Sequence, residues 1–133
     1  MDAPAWACVI AEPGYPAMRL FRWFRIHMST NRAAMASSAS IGLAASITVG
    51  FYEHLAYRAN WWKYEKTRLM LGDFCALYIP FGEFMMFLAI IPVAARMLTD
   101  GRHRTASLIE GGAAFALTIA QGYVLAYLNL KVL

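Results

Sequence analysis

The sequence predicts an all-α integral membrane protein with three transmembrane helices and an N-terminal amphipathic helix at the membrane interface. Two observations carry this prediction. First, the 133 residues are 60% hydrophobic and 15% charged, with a mean hydropathy of +0.46, whereas soluble domains carry about a quarter charged residues. Second, three stretches are long and apolar enough to cross a bilayer, which takes about 20 residues; they are residues 33–52, 74–95 and 111–130.

The interfacial helix is predicted in residues 1–32, and residues 33–133 form the three-helix transmembrane domain. In "RLFRWFRIH", Arg19, Arg22 and Arg25 recur every three residues. Trp23 and other apolar residues lie between them. This pattern is typical of a helix with its aromatic rings in the acyl boundary and its Arg side chains among lipid headgroups. Because a membrane span follows immediately, we expect lipid and no nucleic acid as the partner of these residues.

The first 17 residues contain acids and three prolines and lack a basic start, so no cleavable signal peptide is expected. Cys8 and Cys75 lie far apart in the sequence and show neither metal-ligand spacing nor a disulfide framework.

The basic residues predict the orientation. Lys and Arg in short flanks concentrate on the cytoplasmic side of a membrane. With three spans, one side holds seven basic residues and the other five. We therefore expect a cytoplasmic N-terminus, in a bacterial inner membrane. The seven are Arg19, Arg22, Arg25, Arg32, Arg96, Arg102 and Arg104, and the five are Arg58, Lys63, Lys66, Arg68 and Lys131.

The stretch 53–73 between the first two spans is predicted to form a further interfacial helix. Trp61, Trp62 and Tyr64 are the ring types that anchor a chain at headgroup level.

Small residues recur every four positions in two of the spans. Such stripes let helix backbones approach closely in lipid. We expect the first and third spans to pack against each other, to dock on another protein, or both. The stripes are Ser38, Gly42, Ser46 and Gly50 in the first span, and Ala114, Thr118, Gly122 and Ala126 in the third.

Glu83 stands near the middle of the second span, in "YIPFGEFMMF". A carboxylate at that depth is costly unless it is protonated or partnered. It could form a structural hydrogen bond with Gln121, Tyr123 or His54, act as an acid, or contact another subunit. A kink at Pro80 could free carbonyl groups close to it.

His54 follows Gly50 by four residues, so that the two share a helix face. The spacing resembles the small-xxx-His pattern with which light-harvesting helices hold a chlorophyll-type magnesium. That resemblance implies His54 as a pigment ligand and bacteriochlorophyll as a cofactor. The alternative is an interfacial His bonded to headgroups or to Glu53.

The stretch 53–87 resembles the membrane domains of small bacterial carotenoid (lycopene) cyclases. Trp61, Trp62 and Tyr64 match that family's aromatic loop, and Pro80 and Glu83 match its proline-acid motif. The resemblance implies a carotenoid ligand and Glu83 as the acid that protonates a polyene. The family's motif places its acid two residues after Pro and often doubles it, whereas this chain has a single acid three residues after Pro80.

No nucleophile motif, phosphate-binding loop or metal-ligand set is visible in the sequence. The sequence therefore favours a non-catalytic accessory subunit of a larger membrane complex, photosynthetic or respiratory, held by lipids and by other subunits. The alternative is a membrane enzyme that modifies an isoprenoid or carotenoid, with Glu83 as acid. A transporter component is a third hypothesis, disfavoured because three spans without an internal repeat do not match the usual transporter architecture.

Overall fold

The computed structural model describes residues 13–65, 67–99 and 104–132. Within them the chain forms helices α1 (Gly14–His27), α2 (Thr30–Arg58), α3 (Tyr78–Thr99) and α4 (Arg104–Tyr127), the last continued by a π-helical segment, Leu128–Val132. Two short strands, β1 (Met70–Leu71) and β2 (Cys75–Ala76), lie between α2 and α3. Cys8 lies outside the described residues. So do residues 1–12 of the 17-residue stretch used for the signal-peptide prediction.

The predicted fold class is confirmed. Three helical segments are long and apolar enough to cross a membrane: Thr30–Arg58, Tyr78–Arg96 and Ile109–Lys131. The first is longer than expected, because helix α2 begins before residue 33 and continues through Glu53 and His54 to Arg58.

Helix α1 forms where the Arg-rich pattern predicts it, and it runs back along the first half of α2. The Ser37 hydroxyl donates a hydrogen bond to the Ala17 carbonyl oxygen at 2.8 Å. Phe21, which we expected in the acyl boundary, is instead buried in a cluster with Ala33 and Ala34. Trp23 stays exposed over 56% of its surface. One face of α1 therefore binds the protein, while its arginines remain exposed.

Helices α2 and α3 make the most extensive contact, and α3 in turn packs against α4. A Cβ atom on Gly42 would lie only 2.9 Å from the Phe84 carbonyl oxygen. One turn further, the Ser46 hydroxyl donates a hydrogen bond to the Pro80 carbonyl oxygen at 2.6 Å. Gly42 and Ser46 of the first stripe thus face the second span, and our expectation that the stripe packs on the third span is wrong.

The connection between α2 and α3 is not the interfacial helix that we expected. It is an irregular segment that ends in an antiparallel hairpin, with Met70 opposite Ala76 and Leu71 opposite Cys75. Gly72 takes a positive φ of 58° in the turn, a conformation in which a side chain would be strained. Just before the hairpin, the Leu69 carbonyl oxygen accepts a hydrogen bond from the Leu77 N–H at 3.0 Å.

The carboxyl end of the third span closes onto this hairpin through Asn129, which is only 2% exposed. Its side-chain oxygen accepts a hydrogen bond from the Leu69 backbone N–H at 2.8 Å, and its amide nitrogen donates one to the Leu69 carbonyl oxygen at 3.3 Å. Asn129 therefore pairs with Leu69 much as a neighbouring strand residue would.

Helix α3 begins at Tyr78, four residues later than the predicted span, so that Pro80 lies in its first turn. A proline there costs little, because the first N–H groups of a helix have no intrahelical acceptor. Pro80 therefore removes no intrahelical hydrogen bond, and the kink that we expected there has no cause in this helix. Pro92, by contrast, lies inside the helix.

Candidate functional site

A buried carboxylate, Glu53, is held by two aromatic side chains. Its Oε2 atom accepts a hydrogen bond from Trp62 Nε1 at 2.9 Å and one from the Tyr64 hydroxyl at 2.6 Å. Glu53 itself is 8% exposed. Because an indole N–H can only donate, the oxygen facing it acts as an acceptor. Short bonds of this kind are typical of an ionised carboxylate.

The end of helix α2 brings these rings to Glu53. Asn60 takes a left-handed φ of 54°. The Trp61 N–H bonds to the Ala56 carbonyl oxygen and the Asn60 N–H to that of Tyr57. This pair of bonds is a Schellman motif, in which a left-handed residue turns the chain back over the helix it has just left. Asn tolerates that conformation better than most residues. The turn returns residues 62–64 to the level of Glu53.

Tyr64 is suited to remain a donor. Burial of its phenol, and then its hydrogen bond to Glu53, raise the pKa of Tyr64 well above its ordinary value of 10.0. The hydroxyl therefore keeps its proton at neutral pH.

Cys75 lies beside this cluster as a fully buried free thiol. Burial first, and then the negative charge of Glu53, raise the pKa of the Cys75 thiol from 9.0 to about 11. Cys75 is therefore a thiol and not a thiolate at neutral pH. A thiol is a poor nucleophile and a poor metal ligand.

Glu83 is half-buried on helix α3. Within the described part of the chain, none of the partners expected for it (Gln121, Tyr123 or His54) forms a hydrogen bond with its carboxyl group, and no ion pair reaches it. Tyr123 is 76% exposed. Among these residues, Glu83 therefore does not form the structural hydrogen bond that we expected across the helices.

Both carboxyl groups, Glu53 and Glu83, line one partly open cavity of about 860 Å³. The remaining walls are mostly apolar. Aromatic residues from α2, α3 and the connecting segment line it, and the start of α1 contributes two prolines. The aromatic residues are Tyr52, Trp62, Tyr64, Tyr78 and Phe87, the prolines are Pro13 and Pro16, and the other residues are Ile41, Ala44, Ala45, Thr48, Val49, Lys63 and Ile79.

The helix register separates the two carboxyl groups along the cavity. Gly42 lies against Phe84, and Ser46 against Pro80, so Glu83 is level with the part of α2 near residue 43. Glu53 lies ten residues further along α2, or about 15 Å at 1.5 Å per residue.

His54 lies next to Glu53 in sequence but outside the cavity lining. Its ring meets Phe74 edge-on at 4.8 Å between centroids. A Cβ atom on Gly50 would lie 4.0 Å from Leu71 Cδ2. The β-hairpin thus covers part of the helix face on which a pigment was predicted. Among the described residues, no group of three or more His, Cys, Asp or Glu could hold a metal ion.

The predicted interface residues divide into two groups. Arg19, Arg22, Arg25, Trp23 and Trp61 are exposed, as headgroup anchors would be. Trp62 and Tyr64 instead direct their polar atoms at Glu53.

In the third span, Ala114 is buried and accepts a hydrogen bond from the Thr118 hydroxyl at 2.9 Å. Ala126 is half-buried. Among the described residues, no atom of another helix lies within 4 Å of a Cβ built on Gly122. Ala114 is therefore the residue of this stripe that is most deeply buried within the chain.

Glu53 is the cavity residue that sequence reasoning missed, since we considered it only as a partner of His54. The sequence holds a signal for this residue, because Trp62 and Tyr64 follow Glu53 by nine and eleven residues. Each of these rings carries one hydrogen-bond donor.

These features define a class of protein: a membrane-embedded, mostly helical chain with an apolar cavity that two carboxyl groups line. Residues 3–130 match a family described as a domain of unknown function (DUF6989), and the chain belongs to that family. No curated protein and no solved structure matches it.

Proposed function

We propose that this protein is a membrane enzyme that binds an elongated isoprenoid, such as a carotenoid-type polyene, and acts on it with Glu83 as the acid. The observation that carries the proposal is the apolar cavity of about 860 Å³ with Glu83 in its wall. A volume of this order is typical of small-molecule sites. Its mostly apolar walls suit a hydrocarbon that arrives dissolved in the lipid.

Glu83 has the properties that such an acid needs. A carboxyl group without a partner among apolar side chains keeps its proton, because the charged form would lose its hydration there. The proton can pass to a carbon–carbon double bond of the ligand, leaving a carboxylate and a carbocation. Ring closure onto a second double bond and loss of a proton to the Glu83 carboxylate then restore the acid. This sequence is a net isomerisation and consumes no co-reactant.

Conversion of an acyclic C40 polyene by the purified protein in lipid nanodiscs tests the proposal. We expect the wild-type protein to form cyclic isomers, detected by chromatography and absorption spectra. Glu83→Gln should abolish the conversion. Glu65→Gln, which removes an exposed carboxylate outside the cavity, is the matched control and should retain it. A wild-type protein without conversion, or an equally active Glu83→Gln variant, would overturn the proposal.

A second candidate function is an accessory subunit of a larger photosynthetic or respiratory membrane complex. The third span favours this function, because only 12% of the residues in its most hydrophobic stretch are buried within the chain. Leu117, Ile119 and Val124 are exposed there, and another subunit could cover them. Purification in a mild detergent should then give a large, pigmented or redox-active particle, whereas the enzyme should be a free protomer or homodimer.

We further propose that the chain resides in the inner membrane of a bacterium with its N-terminus in the cytoplasm. The excess of basic residues on the N-terminal side of the spans supports this orientation.

A further inference from the structure

The Glu53 end of the cavity combines a carboxylate with several aromatic rings. Tyr52, Trp62, Tyr64 and Tyr78 line the cavity together with Glu53. Within the described residues, no Lys or Arg forms an ion pair with Glu53. Lys63 also lines the cavity but is exposed. The negative charge of Glu53 is thus held by hydrogen bonds alone, beside a wall of electron-rich rings.

From this arrangement we infer that the Glu53 end of the cavity is a subsite for positive charge on an apolar chain. Aromatic faces attract cations through their quadrupoles. A carboxylate fixed by two donors is a preorganised negative charge that does not have to reorient when a cation forms. This inference rests on the proposed function, in which protonation of the ligand by Glu83 creates a carbocation.

The separation of the two carboxyl groups explains why the chain would need both. Glu53 lies about 15 Å beyond Glu83 along α2. A proton added to a conjugated chain near Glu83 leaves a positive charge that is delocalised along that chain. An elongated ligand that fills the cavity brings its far end to the Glu53 carboxylate and the surrounding rings. Glu83 supplies the proton, and Glu53 stabilises the charge at a distance.

Binding of a stable cation mimic tests this subsite. The probes are a radiolabelled geranylgeranyl dimethylamine, which is protonated at neutral pH, and geranylgeraniol, its uncharged counterpart with the same chain. Binding to the protein in nanodiscs is measured with empty nanodiscs as background. We expect the wild-type protein to bind the amine about tenfold more tightly than the alcohol.

Four variants assign the preference to Glu53. Glu53→Gln should lower the ratio of affinities to about two, because the aromatic rings remain, and Glu53→Asp, which keeps the charge, should retain most of the wild-type preference. Tyr52→Leu removes one ring at an exposed position and should lower the ratio by about twofold to fourfold, which keeps the test valid if Glu53→Gln does not fold. Glu83→Gln should abolish polyene conversion and leave the ratio unchanged.

The outcomes separate the two proposals. Equal affinity of the wild-type protein for amine and alcohol overturns the subsite, even if polyene conversion depends on Glu83. A preference for the amine that is undiminished in Glu53→Gln also overturns it. Preference for the amine without conversion of any polyene supports the subsite and overturns the enzyme.

Discussion

Glu53 shows how the fold accommodates a carboxylate among apolar groups. Removal of such a charge from water costs several kcal/mol unless hydrogen bonds replace its hydration. Trp62 and Tyr64 supply two of these bonds to a single oxygen. Both are aromatic, so they satisfy the carboxylate and still present apolar faces to the cavity. The same three residues thus satisfy the buried carboxylate and line the cavity.

The buried thiol of Cys75 predicts a loss of stability in alkali. Burial raises the pKa of Cys75 from 9.0 to about 11. Below pH 9.0 the contribution of the protonated thiol to the free energy of unfolding is complete. This contribution is lost as the pH rises to about 11, because the unfolded chain then releases the proton that the folded chain retains. The melting temperature in detergent should therefore fall across this window.

Cys75→Ala is the variant that checks this assignment. Without the thiol, the fall in melting temperature should begin only above the ordinary pKa of tyrosine, 10.0, where the raised pKa of Tyr64 starts to act in the same direction. An identical pH profile for the variant and the wild-type protein would show that Cys75 does not contribute.

At the scale of elements, the close approach of α2 and α3 depends on Gly42. A Cβ atom there would meet the backbone carbonyl oxygen of Phe84 at 2.9 Å and its ring at 3.0 Å. A backbone oxygen inside a helix cannot rotate away, so an added methyl group must push the helices apart. The Ser46–Pro80 hydrogen bond, one turn away, would be strained by the same displacement.

We expect Gly42→Ala to destabilise the protein by about 1–3 kcal/mol, the usual cost of an added carbon in a well-packed contact. The matched control is Gly122→Ala, since no atom lies within 4 Å of a Cβ at that position. Unfolding of both variants in mixed micelles with increasing SDS measures the effect. Equal stability of the two variants would be inconsistent with the close α2–α3 contact.

The connection between α2 and α3 acts as an element in its own right. Its first half brings Trp62 and Tyr64 back to Glu53, and its second half forms the hairpin that Asn129 binds. It therefore links the first and third spans, which both pack on α3. The wall of the cavity at the Glu53 end belongs to this connection, so its conformation controls the shape of the site.

At the scale of the whole molecule, three spans place the residues before α2 and those after α4 on opposite sides of the membrane. The N-terminal side carries the larger number of basic residues, which predicts that it is cytoplasmic. Helix α1 runs back along the first half of α2 and packs on it.

Cysteine labelling tests this topology. Single cysteines are introduced in a chain without Cys8 and Cys75, at Asn31 near the start of α2 and at Glu65 in the connection to α3, both of which are exposed. A membrane-impermeant maleimide should label Glu65→Cys in intact cells and Asn31→Cys only after permeabilisation. The reverse pattern would invert the orientation, and labelling of both sites in intact cells would contradict a membrane span between them.

The existence and approximate place of the three spans were determined by the sequence alone, as was the helix around Arg19, Arg22 and Arg25. The physical reason is local in both cases. A run of about 20 apolar residues enters lipid whatever its neighbours are. Basic residues repeated every three to four positions lie on one polar face of a helix.

Only the tertiary structure decided which residues meet. In a bilayer the outward and inward faces of a helix are both apolar, so hydropathy does not reveal which spans pair; the first stripe therefore faced the second span, not the third. The end of α2 and the hairpin were misjudged because a left-handed Asn60 and the Leu69–Asn129 pairing depend on contacts between distant residues. The cavity between Glu53 and Glu83 arises from those contacts, and no single stretch of the chain encodes it.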